Sequence, residues 1–291
     1  MTGPSELTFE NDVRQRIYEY VERNGTASPS EIRHQVRIDT GPPASKPARS
    51  SGLTAERTPM PVAQVREHLQ GLESEGYLAQ DGGTYRVAVG DDRATHEVEG
   101  GTVTVRPARH EDLADLAAVV EEVASEETYV DARTIAAVID HEETPTRHNE
   151  RESRVFFIAT HSPDGGDAGT DDADGNNGDG DGGDGGDGNG EIVGWVHLEG
   201  LQLAELRHVA ELTVGVVAPH RREGIGKRLL DHGLEWAGGA GYEKLYQTLP
   251  ATNEEAISFL ESEGWEREAT HADHYRISDE YVDEALLAIW V

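Results

Sequence analysis

The sequence predicts two domains of mixed α and β structure: a small one of three helices and a hairpin, then a larger one in which strands and helices alternate. Three observations predict it. Charge changes density near residue 90, since residues 1–90 hold 10 basic and 12 acidic side chains and residues 91–291 hold 15 and 45. Apolar periodicity is helical through most of the first part and switches between strand and helix in the second. Finally, Val217-Ala-Pro-His-Arg-Arg-Glu-Gly-Ile-Gly-Lys-Arg-Leu-Leu230 ends an apolar strand, turns on glycine and opens a helix. With 291 residues, each part can bury its own core.

Composition removes several function classes. Without cysteine there are no disulfides, thiolate zinc sites or cysteine nucleophiles. No apolar run reaches 18 residues and the N-terminus has no signal-like pattern, so a soluble, cytoplasmic protein without membrane attachment is expected. The net charge is −32, and only Lys46, Lys227 and Lys244 are lysines. Acidic, lysine-poor surfaces suit solubility in molar salt, where self-repulsion is screened, so a halophilic protein is expected.

In the first domain, Phe9 to Asn24 repeats Val13, Ile17, Tyr20 and Val21 at helical spacing, and Gly25 closes the helix. Ser28-Pro-Ser-Glu31 is a capping box with proline at the first helical position, opening a helix through Val36. Residues 39–58, rich in Pro, Ser and Ala, read as a disordered insertion. Pro61 to Glu75 is a third helix, and Tyr77–Gln80 and Thr84–Val89 flank a hairpin turn at Asp81-Gly82-Gly83. This order resembles a winged helix-turn-helix, although the motif has a short turn where residues 39–58 stand. DNA binding through residues 1–90 competes with a structural or protein-interaction role. The third helix carries Gln64, Arg66, His68 and Gln70 but also Glu67, Glu73 and Glu75, which is weak basic character for phosphate contacts.

Residues 91–101 read as a linker, and the second domain follows over 102–291. Its predicted elements are a strand at Thr102–Arg106, helices at His110–Ser125 and Asp131–His141, and strands at Arg154–Thr160, Ile192–Leu198 and Leu206–Val217. A helix over 224–238, a strand at Lys244–Leu249, a helix at Asn253–Glu263 and strands at Trp265–Ile277 and Ala285–Val291 complete it. Residues 164–190 hold nine aspartates and no basic side chain, and read as a disordered insertion. Trp195, Trp236, Trp265 and Trp290 are expected in the core. His271 and His274 stand three apart without a third ligand in the pattern, so no metal is expected.

The turn at Gly224 and Gly226 is the place for chemistry. Glycine lets the backbone approach a ligand, and a helix N-terminus offers unpaired N–H groups and a positive dipole end to phosphate. A dinucleotide fingerprint would need a third glycine at Leu229. With Arg221-x-x-Gly-x-Gly226 between the fourth strand and third helix, and Asn253-Glu-Glu-Ala-Ile-Ser-Phe-Leu-Glu-Ser-Glu-Gly-Trp265 after the next strand, residues 102–291 resemble the GNAT (GCN5-related) N-acetyltransferases.

That resemblance implies a mixed, mostly antiparallel sheet flanked by helices, and acetyl-CoA as donor to a primary amine. Main-chain N–H groups of Arg222, Glu223, Gly224, Ile225, Gly226 and Lys227 would cradle the diphosphate, with Arg221 and Arg222 assisting. The pantetheine arm would pair with Val216 and Val217 and meet Asn253. Glu211 is the candidate general base, with Glu199 and His197 as further candidates. A backbone N–H of a bulged fourth strand would hold the oxyanion. The family's usual tyrosine acid is replaced by Leu260, leaving Tyr246 or Tyr242 as substitutes. The alternative is an acyl-CoA-sensing, DNA-binding regulator with little or no catalysis. If the second, third and fourth strands are antiparallel neighbours, the aspartate-rich insertion leaves the sheet at the phosphate end. The acceptor would lie between the acidic 125–131 and 277–285 connections, which suits a cationic amine.

Overall fold

The computed structural model describes residues 7–39, 57–90, 93–126, 129–139, 144–149, 152–163, 190–201 and 203–291. The expected insertions fall largely outside these residues, over 40–56 and 164–189. Among the described residues, no helix is long and apolar enough to cross a membrane.

The N-terminal unit contains α1 (Asp12–Asn24), β1 (Thr26–Ala27), α2 (Pro29–Gln35), β2 (Arg37–Asp39), β3 (Arg57–Pro59), α3 (Val62–Ser74), β4 (Leu78–Asp81) and β5 (Thr84–Val87). The first helix starts later than Phe9 because the Asn11 side chain accepts from the Val13 and Arg14 amides and so fixes the cap there. The predicted capping box of α2 forms between Ser28 and Glu31. Asp39, Arg57 and Thr58, expected within the first insertion, instead belong to the antiparallel pair β2–β3. A second small sheet has the order β1-β5-β4. Ile17, Tyr18, Val21, Ile32, Val65, Leu69 and Leu72 are buried between the helices and this sheet.

The larger unit continues with β6 (Ala94–Val98), β7 (Gly101–Pro107), α4 (Leu113–Ala124), α5 (Val130–Ile139), β8 (Arg147–His148), β9 (Ser153–Pro163), β10 (Glu191–Gly200) and β11 (Val209–Val216). It ends with α6 (Ile225–Ala240), β12 (Lys244–Pro250), α7 (Glu254–Ser262), β13 (Glu266–Ile277) and β14 (Glu280–Trp290). One sheet carries the order β13-β14-β12-β11-β10-β9-β7-β6, with β8 beside β9. Every neighbouring pair is antiparallel except β11–β12. The predicted mixed, mostly antiparallel sheet is therefore present. Helix α6 lies on the face of Val196, Leu198 and Leu212, where Gly233 allows close approach. Helices α4 and α5 pack on β10, β11 and β12.

Three expectations are corrected here. The linker expected at 91–101 contains β6, which pairs with β7 as an edge strand; its alternation is too polar to announce a strand without that partner. The 277–285 connection is not a loop, because β14 starts at Glu280 and the turn closes on Ser278 and Asp279 at φ 49° and 67°. Trp290 is not core: it is 66% exposed, with the Lys244 ammonium 5.7 Å from its ring centroid.

The two units share one continuous core. The Tyr18 hydroxyl donates to the His148 carbonyl, and buried Glu22 accepts from Asn149 Nδ2 at 2.9 Å and meets Arg147 at 3.6 Å. Buried carboxylates need such partners, so these contacts tie α1 to the segment leading into β9.

Candidate active site

Strands β11 and β12 pair only over Val209↔Lys244, Ala210↔Leu245 and Glu211↔Tyr246, although they run on to Val216 and Pro250. Beyond Glu211 they part, leaving a wedge between them. The Val217 N–H donates to Val193 on β10 at 3.0 Å, so strand alternation turns the Val216 peptide groups toward the wedge. Register between β10 and β11 is continuous from Gly194↔Val216 to Gly200↔Ala210, so the expected bulge is not in this pairing; the irregularity lies between β9 and β10, at Ile192 to Gly194.

The wide end of the wedge meets the glycine turn. Gly224 stands as N-cap of α6 at φ 80°, a left-handed conformation that suits glycine, and Arg222 precedes it at φ 69°. Helix α6 has no side-chain cap, so the amides of its first turn, including Ile225, Gly226 and Lys227, are open to an anion. A Cβ on Gly226 would stand 3.7 Å from Val216 Cγ2 and 4.0 Å from Phe259 Cζ, ordinary contact distances. Protein packing alone does not demand glycine there.

Both arginines already have carboxylate partners. Arg221 donates through Nε to the Val216 carbonyl at 2.9 Å, grips Glu126 with Nη1 at 3.0 Å and Nη2 at 2.5 Å, and lies 5.1 Å from the Tyr129 ring centroid. Arg222 is 80% exposed and reaches Glu255 at 2.8 Å. Lys227 pairs with Glu263 and with Asp231, and Glu223 meets His220 at 3.3 Å. Asn253 is buried, and its side-chain oxygen caps α7 by accepting from the Ala256 amide at 3.2 Å. Strands β9 and β11 run parallel, and the His161 and His220 rings lie 4.9 Å apart. The chain thus enters and leaves 164–189 at the end of the sheet that carries the Gly224–Gly226 turn, as expected for antiparallel neighbours β9, β10 and β11.

At the apex of the wedge Glu211 is flanked in register by Glu199 and Tyr246. The Tyr246 hydroxyl donates to Glu211 Oε2 at 3.2 Å. Burial raises the Glu211 pKa above the ordinary carboxylate value, the phenol hydrogen bond pulls it down, and Glu199 and Glu284 add to the rise. Burial, then the charge of Glu211, hold the Tyr246 phenol above its usual value, so it stays a neutral donor.

The other candidates fare differently. His197 is 5% exposed, neither ring nitrogen has a hydrogen-bond partner, and burial followed by the charge of Arg154 lowers its pKa to about 3. So weak a base cannot take a proton from an amine near neutral pH. Tyr242 is buried, engaged with Ser153 and packed where a Gly200 Cβ would point, on the face of the sheet opposite to Glu199 and Glu211, which removes it as a substitute acid. Leu260 is buried in the core and has no proton to give. Sequence reading missed the Glu126–Arg221 clasp and the buried Arg154 opposite Glu199; a lone cation inside an otherwise apolar strand was the available signal for the second.

Parts of the chain are similar to known proteins. Residues 142–265 match the model of the Acetyltransferase (GNAT) family. A stretch of 66 residues, 22% of this chain, is 35% identical to N-alpha-acetyltransferase 50 of Danio rerio, and spans 39% of that relative's length. Among solved structures, the acetyltransferase of GNAT family from Streptococcus pneumoniae aligns at 18% identity over 65% of this chain and 99% of its own, with a TM-score of 0.47. The GCN5-related N-acetyltransferase from Kribbella flavida aligns at 17% identity over 65% and 98%, also at 0.47. A Salmonella typhimurium structure with its cofactor acetyl-CoA aligns at 15% identity over 65% and 93%, at 0.46. The family-model match thus covers residues 142–265, the part of the chain that holds β9 to β12, the glycine turn and α7.

Proposed function

We propose that the chain is an N-acetyltransferase that moves an acetyl group from acetyl-CoA to a primary amine by direct attack in a ternary complex. One observation carries this reading: a wedge between parallel strands, with an uncapped helix N-terminus at its wide end and a raised-pKa carboxylate at its apex. About six strand residues separate Glu211 from Val217, roughly 20 Å at 3.3 Å per residue, a length suited to an extended pantetheine arm.

When bound, acetyl-CoA supplies a thioester whose C–S bond breaks as the acceptor nitrogen forms a C–N bond. The first-turn amides of α6 hold the diphosphate, and the Val216 peptide lines the arm. Glu211, as carboxylate, takes the proton from the attacking amine, directly or through one water. A backbone N–H of β11 facing the wedge donates to the carbonyl oxygen as charge develops there. Tyr246 orients Glu211, and as a neutral phenol near the apex it is also the candidate donor to the leaving thiolate. A thiol of ordinary pKa about 8.5 leaves tolerably well without that help. Glu199 beside Glu211 favours a cationic acceptor.

The test is thiol release with excess acetyl-CoA and an amine mixture in molar KCl, alongside calorimetric CoA binding. Absence of both ends the proposal. A second reading, an acyl-CoA-responsive DNA-binding regulator, draws on the exposed α3 surface with Gln64, Arg66 and Gln70. Duplex binding by the whole chain that falls steeply with salt and weakens in Arg66→Ala would favour it.

A further inference from the structure

At the outer edge of the sheet, His271 and His274 meet the buried Glu284. One ligand atom from each lies within 4.8 Å of the others. His271 Nδ1 is 2.6 Å from Glu284 Oε2, and His274 Nε2 is 3.5 Å from Oε1. We propose that these three side chains form a site for a divalent transition ion of the zinc class, independent of the acetyl-transfer reading.

The backbone is arranged to bring them together. In a regular strand, residues three apart point to opposite faces. Here β13 breaks register between His271↔Glu284 and Tyr275↔Val282, so residues 272–274 oppose Asp283 alone. Asp273 sits at φ 52°, where a non-glycine residue costs about 1–3 kcal/mol, and its N–H donates to the Asp283 carboxylate at 2.9 Å. The bulge turns His274 back onto the side of His271, and the two ring centroids stand 5.5 Å apart. Bulges of this kind re-aim side chains.

Charge supports the assignment. Glu284 is 6% exposed, and among the described residues its ion-pair partners are these two histidines, not an arginine or lysine. A buried carboxylate without a guanidinium or ammonium partner, in a chain of net charge −32, is well suited to hold a dication. Both imidazoles are 53% exposed, which leaves room for water to complete the shell. The Tyr275 hydroxyl donates to Glu284 Oε1 at 2.9 Å, an outer partner that orients a ligating carboxylate. Two imidazoles and one carboxylate select Zn²⁺, Co²⁺ or Ni²⁺ over Mg²⁺ and Ca²⁺, which prefer oxygen. Bonds of about 2.0–2.2 Å need ligand atoms roughly 3.3–3.5 Å apart, so the His271–Glu284 contact must open by less than 1 Å.

The experiment uses the full, tag-free chain after chelator treatment, titrated with Zn²⁺ in molar KCl with excess Mg²⁺ to occupy the exposed carboxylates. Co²⁺ absorption reports ligand type. One equivalent is expected, bound at least about 30-fold more tightly than by H271A/H274A, with E284Q similarly impaired and His34→Ala unchanged. Zn²⁺ is also expected to slow amide exchange across β13–β14. Since both histidines are exposed, a thermal scan of the double variant separates ligand loss from misfolding. Stoichiometric binding that survives in H271A/H274A, or no uptake by the wild-type chain at micromolar Zn²⁺, overturns the proposal.

Discussion

Gly224 and Gly226 are two residues apart in the same turn, yet alanine at each should fail differently. At Gly224 an added Cβ meets nothing within 4 Å, but φ is 80°, so the penalty is purely conformational, about 1–2 kcal/mol. For a chain of this size 1 kcal/mol shifts Tm by roughly 2–4 °C, so Gly224→Ala should melt about 2–8 °C lower. Gly226 sits in the first turn of α6 and makes only ordinary contacts when given a Cβ, at 3.7 and 4.0 Å. Alanine there gains helix propensity of up to about 1 kcal/mol, so Gly226→Ala should be as stable as wild type or melt slightly higher. If the glycine leaves room for a diphosphate on the Gly226 amide, the same variant should lose at least about tenfold in acetyl-CoA affinity, or 1.4 kcal/mol. Thermal scanning and calorimetry in molar KCl read the two quantities separately. A Gly226→Ala protein that is more stable and binds acetyl-CoA as wild type does would refute the phosphate-cradle argument.

Glu211→Gln should lower kcat by about 10²–10⁴ with little change in Tm; since the carboxylate form works, wild-type kcat/KM should fall as pH drops through its raised pKa. Tyr246→Phe removes a hydrogen bond that lowers that pKa and should move the acid limb to higher pH, whereas equal loss of kcat at every pH would identify Tyr246 as the proton donor instead. For His197 the folded pKa of about 3 lies below the ordinary 6.5, so the unfolded chain binds the proton first and stability is lost on acidification below 6.5. By pH 5 the loss from this group is about 2 kcal/mol, and His197→Leu should flatten denaturation midpoints over that range. Acetyl-CoA affinity should weaken as KCl is lowered, because β9 ends and β10 begins beside the Gly224 turn and the 164–189 sequence between them holds nine aspartates; an unchanged salt dependence after deleting that segment would count against this.

Local signals were legible. The capping box at Ser28–Glu31 and the glycine turn at 224–226 depend on residues a few positions apart, and both formed where their spacing placed them. What stayed hidden depends on partners distant in sequence. Strand β6 exists because β7 offers a free edge, not because Ala94-Thr-His-Glu-Val98 is apolar. Glu126 and Arg221 are 95 residues apart, so neither marks the other. His271 and His274 lack a third ligand only while β13 is imagined regular; the bulge and the pairing with β14 bring in Glu284. Glu211 was readable as a position, but its face comes from the register with Glu199 and Tyr246, and its raised pKa comes first from its burial in the folded sheet.

The Gly224 turn combines the uncapped, positive terminus of α6 with cations that already have carboxylate partners. Arg221 is held bidentately by Glu126, stacked on Tyr129 and bonded to the Val216 carbonyl, so releasing it for a phosphate would cost several interactions at once. It therefore serves as a strut that fixes the turn against Glu126 and Tyr129, which lie between α4 and α5. Arg222 is different: its pair with Glu255 is solvent-exposed, and such pairs contribute about 0–1 kcal/mol, so the guanidinium can turn to a ligand at little cost. On the proposed reading, anion recognition would then fall mainly on the first-turn amides of α6, which no side-chain cap occupies. In a chain of net charge −32, that division of labour would let the surface carry its charge while leaving an uncapped helix terminus open to an anionic donor.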